Sequence, residues 1–222
     1  MKINAVIFDM DGVIFATEKL AQESWRLVEK EFGVPVGEDF MAMLLGMSHT
    51  GILDVYAKYF GDYELGSRIY NWRKAFMNDS IEQNGVPVKP GVRELFAYLK
   101  EEAGLPMALA TSSYRPNVER LFRVTGLENP FRMVVTGDTL EHSKPDPEIF
   151  LRAARGMNVP IQECMIIEDS YNGIIGGSAA GAVTVMVPDM VQPTPEMLAK
   201  AYAVCDSLLD IIPLIKKINQ EK

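Results

Sequence analysis

Short apolar runs without polar alternation recur along the chain: Ala5-Val6-Ile7-Phe8, Met107-Ala108-Leu109-Ala110, Met133-Val134-Val135, Met165-Ile166-Ile167 and Ala182-Val183-Thr184-Val185-Met186-Val187. Runs of this kind read as strands buried on both faces, hence as a parallel sheet. Helical spacing lies between them. Val92, Leu95, Phe96 and Leu99 mark one helix, opened by Pro90-Gly91 and closed by Gly104. Val118, Leu121 and Phe122 mark a second before Gly126, and Ile149, Phe150, Ala153 and Ala154 a third, with Pro147 near its first turn. Ala203-Val204-Cys205 reads as the last strand. The alternation predicts an α/β fold, a doubly wound parallel sheet whose site gathers at the C-terminal ends of strands.

Residues 17–84 break this rhythm and carry helix periodicity only. Leu20, Ser24, Leu27, Val28 and Phe32 share a face that ends at Gly33, and further helical patterns run through Phe40–Leu45, Ile52–Phe60 and Leu65–Ile81. Gly85-Val86-Pro87-Val88-Lys89-Pro90 reads as a linker back to the next strand. The expected division is a discontinuous core, residues 1–16 and 85–222, with an all-helical cap of residues 17–84 inserted after the first strand. A lid over the strand ends would be attached there.

Carboxylates collect where the strands stop. The first strand runs into Asp9-Met10-Asp11-Gly12, and strand alternation starts Asp9 and Asp11 on one side. Two carboxylates about 4 Å apart repel by roughly 4 kcal/mol at an effective dielectric near 20, so a partner is needed. A hard divalent cation, best Mg2+, would meet that need. Alone, the motif also describes a turn with solvated acids. The second acidic pair, Glu168-Asp169 after Met165-Ile166-Ile167, makes that less economical, because both pairs end core strands. Thr111-Ser112-Ser113 ends another strand with hydroxyls and N–H groups suited either to phosphoryl oxygens or to capping a helix. Lys144, between Ser143 and Pro145-Asp146-Pro147, is placed to neutralise a phosphate and a nearby carboxylate, or is an ordinary surface lysine.

Composition narrows the classes of function. The 222 residues hold 22 Lys+Arg and 30 Asp+Glu, a net charge of −8, with no basic cluster. A nucleic-acid or anionic-membrane partner is therefore not expected. Hydrophobic residues make up 48% and charged residues 23%, which fits a globular chain able to bury its own core. No apolar run approaches the ~20 residues that span a bilayer. Met1-Lys2-Ile3-Asn4-Ala5 does not read as a signal peptide. The only two cysteines, Cys164 and Cys205, form no disulfide framework or Cys-type zinc site. These features together point to the cytoplasm. They leave oligomeric state open, a monomer being compatible.

Asp9-Met10-Asp11-Gly12, Thr111-Ser112, Lys144-Pro145 and Glu168-Asp169-Ser170, in this order and each at a strand end, resemble the haloacid dehalogenase superfamily in its phosphatase and phosphomutase branch with a helical cap. The resemblance implies that Asp9 attacks phosphorus and forms an aspartyl-phosphate. Asp11 would serve as general acid, then base. The Asp9 carboxylate, the Asp11 backbone carbonyl and the Asp169 carboxylate would hold Mg2+, with Glu168 as a further ligand or as support for one. Thr111, the Ser112 backbone and Lys144 would bind the transferring phosphoryl group. Asp11 separates this chain from the dehalogenases, which need no acid for a leaving alcohol, and from phosphonatases, which have a small residue there.

The resemblance also has gaps. Ala16-Thr17-Glu18 stands where close relatives read Asp-Thr/Ser-Glu. Ala21 aligns with a histidine that gates the nucleophile in β-phosphoglucomutases. The substrate loop Leu45-Gly46-Met47-Ser48-His49 lacks the flanking lysine and arginine of those enzymes, leaving Gly46 and His49 as its candidate substrate contacts. The expected function is an Mg2+-dependent phosphomonoesterase acting on a small phosphorylated metabolite such as a sugar phosphate. β-Phosphoglucomutase is the alternative, and a non-catalytic phosphate-binding protein the more distant one. Gly176-Gly177 replaces the usual alanines in a predicted helix, at roughly 1 kcal/mol each in propensity, for no reason visible in the sequence.

Overall fold

The computed structural model describes residues 2–37, 40 and 52–220. Six strands, β1 (Ala5–Phe8), β2 (Met107–Thr111), β3 (Met133–Thr136), β4 (Cys164–Glu168), β5 (Val183–Met186) and β6 (Ala203–Val204), form one sheet. Its order is β3-β2-β1-β4-β5-β6, and every pairing is parallel. Three strands run one residue past the predicted apolar run, to Thr111, Thr136 and Glu168, so the last rung of each carries a polar side chain.

Among the described residues, four helices lie between β1 and β2: α1 (Glu18–Phe32), α2 (Ile52–Phe60), α3 (Tyr63–Asn84) and α4 (Val92–Ala97). The last continues as a π-turn over Tyr98–Glu102, so the helix expected to run regularly through Leu99 changes pitch after Ala97. After β2 come α5 (Arg115–Thr125), α6 (Glu148–Met157), α7 (Tyr171–Ala180), α8 (Pro195–Lys200) and α9 (Ile211–Gln220). Alternate strand residues feed opposite cores. Val6, Phe8, Leu109, Met165 and Ile167 pack with α4, α5 and α9, while Ala5, Ile7, Ala108, Ala110 and Ile166 pack with α6. Burial on both faces is the physical reason that the strand runs lack polar alternation.

Helices α1 to α3 share a separate cluster of Trp25, Val28, Phe40, Tyr56 and Ile69, with Phe40 stacked on Tyr59 at 4.3 Å between ring centroids. Ser24, polar on an otherwise apolar face, is satisfied there: Arg73 Nε donates to its Oγ at 2.8 Å, and the Arg73 guanidinium lies 4.1 Å from the Trp25 ring centroid. Gly33 ends α1 in the left-handed conformation at φ 65°.

The segment read as a linker is tied down instead. Val88 bridges to Phe15, Ala16 N–H donates to the Pro87 carbonyl at 2.9 Å, and Lys89 N–H donates to the Ile14 carbonyl at 2.8 Å. The two chain passages joining the inserted helices to the sheet therefore run side by side and satisfy each other's backbone groups. Phe40 is the described part of the predicted pattern Phe40–Leu45; the rest of it lies outside the described residues.

Candidate active site

The chain order reverses at β1, which pairs with β2 on one side and β4 on the other. In open parallel sheets, the crevice beyond the carboxyl ends at such a reversal is where ligands bind. Asp9 follows β1 and Asp169 follows β4, so both stand at this crevice. Asp9 N–H donates to the Ile167 carbonyl at 3.0 Å, continuing the ladder one residue past the strand.

Lys144 arrives from the loop before α6, next to a cis Lys144–Pro145 peptide. Its side chain is buried. Nζ donates to Asp9 Oδ1 at 2.5 Å, Glu168 Oε1 at 2.6 Å and the Ala110 carbonyl at 3.0 Å. All three ammonium hydrogens are thus used, and the Phe150 ring centroid lies 5.0 Å away. Burial alone would lower the Lys144 pKa, but the attraction of Asp9 and Glu168 outweighs it and holds the group charged.

Glu168 is fully buried and saturated. While Oε1 faces Lys144, Oε2 accepts from Asp169 N–H, Ser170 N–H and Ser170 Oγ at 3.1, 3.1 and 2.9 Å. Ser170 Oγ in turn caps α7 by accepting from Gly173 N–H at 3.1 Å. A Cβ at Gly173 would sit 1.8 Å from Glu168 Cδ, so glycine is what lets the helix start reach this carboxylate. Gly12, at φ +78°, does the same for Asp169, whose Oδ2 lies 2.0 Å from where a Cβ would be.

Asp11 turns away from this cluster. Its Oδ1 accepts from Thr17 Oγ1 at 2.8 Å and its Oδ2 from Ser113 Oγ at 2.9 Å. Thr111 Oγ1 accepts from Ser113 N–H at 3.0 Å, which shapes the turn after β2 around Ser112. Gly137 permits close approach there, since a Cβ would fall 2.2 Å from the Ser112 carbonyl oxygen.

The structure therefore brings Asp9, Asp11, Thr111, Ser112, Lys144, Glu168 and Asp169 to one crevice. Gly46 and His49 lie outside the described residues. Thr17 and Ser113 were not singled out from the sequence. Ser113 was visible as the third hydroxyl of Thr111-Ser112-Ser113, and Thr17 as the match to the Thr/Ser of the relatives' Asp-Thr/Ser-Glu, though neither is marked in the sequence by the carboxylate it meets. His142 is exposed, 3.3 Å from Glu148.

Asp9, Glu168 and Asp169 each offer an oxygen within 4.8 Å of the others. The Asp169 carboxylate accepts no hydrogen bond from any described residue. Among the described residues only the Lys144 ammonium pairs with this group, through Asp9 and Glu168, which leaves an excess of negative charge in a buried place. Burial, with Glu168 and Asp11 adding repulsion against the attraction of Lys144, pushes the Asp9 carboxyl up to about 8. Burial, Glu168 and Asp9 raise Asp169 well above the carboxylate range. An all-oxygen set with surplus charge and an unpartnered carboxylate fits a hard divalent cation. Because Glu168 is already saturated, Asp9 and Asp169 are the side chains left to hold one.

Beside Asp11 a cavity of about 140 Å³ opens between α5 and the inserted helices, lined in part by Thr17, Glu18, Ala21, Asn117 and Arg120. Among the described residues, no helix is long and apolar enough to cross a membrane.

A family described as haloacid dehalogenase-like hydrolase matches residues 3–181. The phosphorylated carbohydrates phosphatase of Thermotoga maritima is 33% identical over 184 residues, covering 81% of this chain and 82% of that protein. Hexitol phosphatase B of Escherichia coli is 30% identical over 189 residues, 84% of each. The crystal structure of β-phosphoglucomutase from Clostridium difficile is similar at a TM-score of 0.79 and 27% identity, over 99% of this chain and 98% of that one.

Proposed function

The chain belongs to the haloacid dehalogenase-like hydrolases, in their phosphatase branch, and from that membership we propose an Mg2+-dependent phosphomonoesterase that cleaves a small phosphorylated metabolite, a sugar or polyol phosphate, through an aspartyl-phosphate. The observation that carries this reading is the division of labour between two aspartates two residues apart. Asp9 is buried against Lys144, and Asp11 is held by two hydroxyls at the wall of the cavity.

In this mechanism an Asp9 carboxylate oxygen attacks phosphorus. The P–O bond to the leaving alcohol breaks, and Asp11 supplies that alkoxide with a proton. Water then attacks the aspartyl-phosphate, giving a proton to Asp11. Phosphate departs and Asp9 is restored. Thr111 Oγ1, the Ser112 backbone and Lys144 hold the phosphoryl oxygens, whose charge grows in the transition state. Asp9, Asp169 and the Asp11 backbone carbonyl would hold Mg2+, which when bound offsets the crowded carboxylates and stabilises phosphoryl charge. Glu168 keeps Lys144 and the Asp169 turn in place. Residues 17–84 act as a cap over the crevice, entered and left through the paired passages at Ala16 and Pro87.

Ala21 on the cavity wall supports hydrolysis over mutase chemistry, because among the described residues no imidazole lines the cavity to shield the intermediate from water. The two cysteines are buried and unpaired, which supports a reducing cytoplasmic setting. The test is phosphate release from a panel of sugar and polyol phosphates with and without Mg2+, beside a coupled assay for conversion of β-glucose 1-phosphate to glucose 6-phosphate. Release that needs Mg2+, with no isomerisation, is expected. Isomerisation without release would replace this reading by the mutase.

A further inference from the structure

The wall of the cavity beside Asp11 carries donors and acceptors that the phosphoryl chemistry leaves unused. Arg120, on α5, lines it, and so does Glu18, on the first turn of α1. Arg120 Nε donates to Glu82 Oε1 at 3.2 Å, and Nη1 donates to Asn78 Oδ1 at 2.6 Å and Asn117 Oδ1 at 2.8 Å. A guanidinium has five N–H donors, and the two on Nη2 make no hydrogen bond with a described residue. Glu82 Oε1 also accepts from Arg123 Nη2, so one carboxylate serves two guanidiniums and leaves positive charge over. Arg120 is thus held as a fixed fork at the wall of this cavity, with its Nη2 unengaged among the described residues.

The acids of the same wall decide what the fork reads. Asp11 and Glu18 both line it, and a carboxylate on the leaving group would meet them. A hydroxyl suits this surroundings because it accepts from Arg120 and donates to Glu18 at once. We propose that Arg120 is a specificity-determining residue that donates from Nη2 to a hydroxyl on the alcohol half of the ester, selecting polyol or sugar phosphates over esters without hydroxyls. This rests on the phosphatase reading above. Because Asn78 and Glu82 belong to α3, recognition depends on the inserted helices standing where they do here.

The test compares kcat/KM for glycerol 1-phosphate, erythritol 4-phosphate and sorbitol 6-phosphate with that for p-nitrophenyl phosphate, which has no hydroxyl on its leaving group. R120M is expected to lower kcat/KM on the best polyol ester about 10- to 100-fold, mainly through KM, and on p-nitrophenyl phosphate less than about 3-fold. R123M, which shares Glu82 but is exposed on the outer side, is expected to change neither ratio appreciably. Equal losses on both ester types, or none on either, overturn the inference. Should R120M fail to fold, R120K keeps the charge without the fork, and an unchanged ratio there overturns it too. A wild-type enzyme inactive on every ester, p-nitrophenyl phosphate included, instead sinks the phosphatase reading, and this inference falls with it.

Discussion

Thr17 donates its hydroxyl to Asp11 Oδ1 at 2.8 Å, so the residue at which the chain leaves the sheet for the inserted helices also orients the proposed acid and base. With Ser113 on the other oxygen, Asp11 is fixed from both sides. T17V keeps the shape and removes the donor, and kcat is expected to fall about 10-fold with little change in Tm, while T17S recovers most of it. A steady-state comparison of the three proteins decides. Unchanged kcat in T17V would mean that Asp11 is oriented by Ser113 alone.

Lys144 compensates two buried acids at once, so its removal is expected to cost stability as well as activity. K144M leaves Asp9 and Glu168 facing each other unpaired, and urea denaturation at neutral pH without divalent cation should register a loss of about 3–5 kcal/mol. The deficit should grow as pH rises through about 8, where Asp9 loses its proton and the missing ammonium leaves its charge unpaired. A loss independent of pH would argue for a packing origin.

The raised pKa of Asp9 sets a second pH dependence. Its folded value of about 8 lies above the ordinary 3.8, so between those values the folded protein holds a proton that the unfolded chain has released. This contribution is complete below the unfolded pKa and is lost as pH rises through about 8. In EDTA, D9N, which lacks the titrating group, should therefore gain stability relative to wild type between about pH 6 and pH 9. Mg2+ has to displace that proton at the lower pH, so the rise in Tm on adding it should be larger near pH 9. Thermal melts at both pH values, with and without Mg2+, measure this, and equal rises would contradict it.

Gly176 separates sequence arithmetic from structure. By helix propensity alone, G176A should stabilise α7 by about 1 kcal/mol. In the fold, the new Cβ would meet the Pro145 carbonyl oxygen at 2.9 Å and Phe150 Cε2 at 3.3 Å. The expected result is a loss of about 1–3 kcal/mol and a fall in kcat, because the displaced loop carries Lys144. Gly177 is equally confined, with a Cβ 2.6 Å from Thr184 Oγ1. A higher Tm in G176A would show that the loop yields freely.

Much of the fold was legible because the central strands are buried on both faces, which writes continuous apolar runs such as Ala5–Phe8 into the chain. The acids and Lys144 were legible because each sits at the end of such a run or in a proline-bounded turn. Partnerships formed across the fold were not. Ser113 and Asp11 are 102 residues apart, and a serine beside a better-known threonine carries no mark of the carboxylate it will meet. Saturation of Glu168 depends on the start of α7 reaching it, which needs Gly173 in space rather than in sequence. Arg120 reads from sequence as one more charge on a surface helix, and only packing against Asn78 and Glu82 brings it to the cavity. The twin glycines of α7 looked like a defect until their neighbours, Pro145 and Thr184, were in view.

Asp9 carries the phosphoryl group in this mechanism, and the most direct measurement of that is phosphate release by wild type and D9N on the best ester of the panel with saturating Mg2+. D9N keeps the shape and removes the nucleophilic charge, so kcat should fall by at least about 1,000-fold in a protein that still melts cooperatively. A folded D9N that releases phosphate at a rate close to wild type would contradict it.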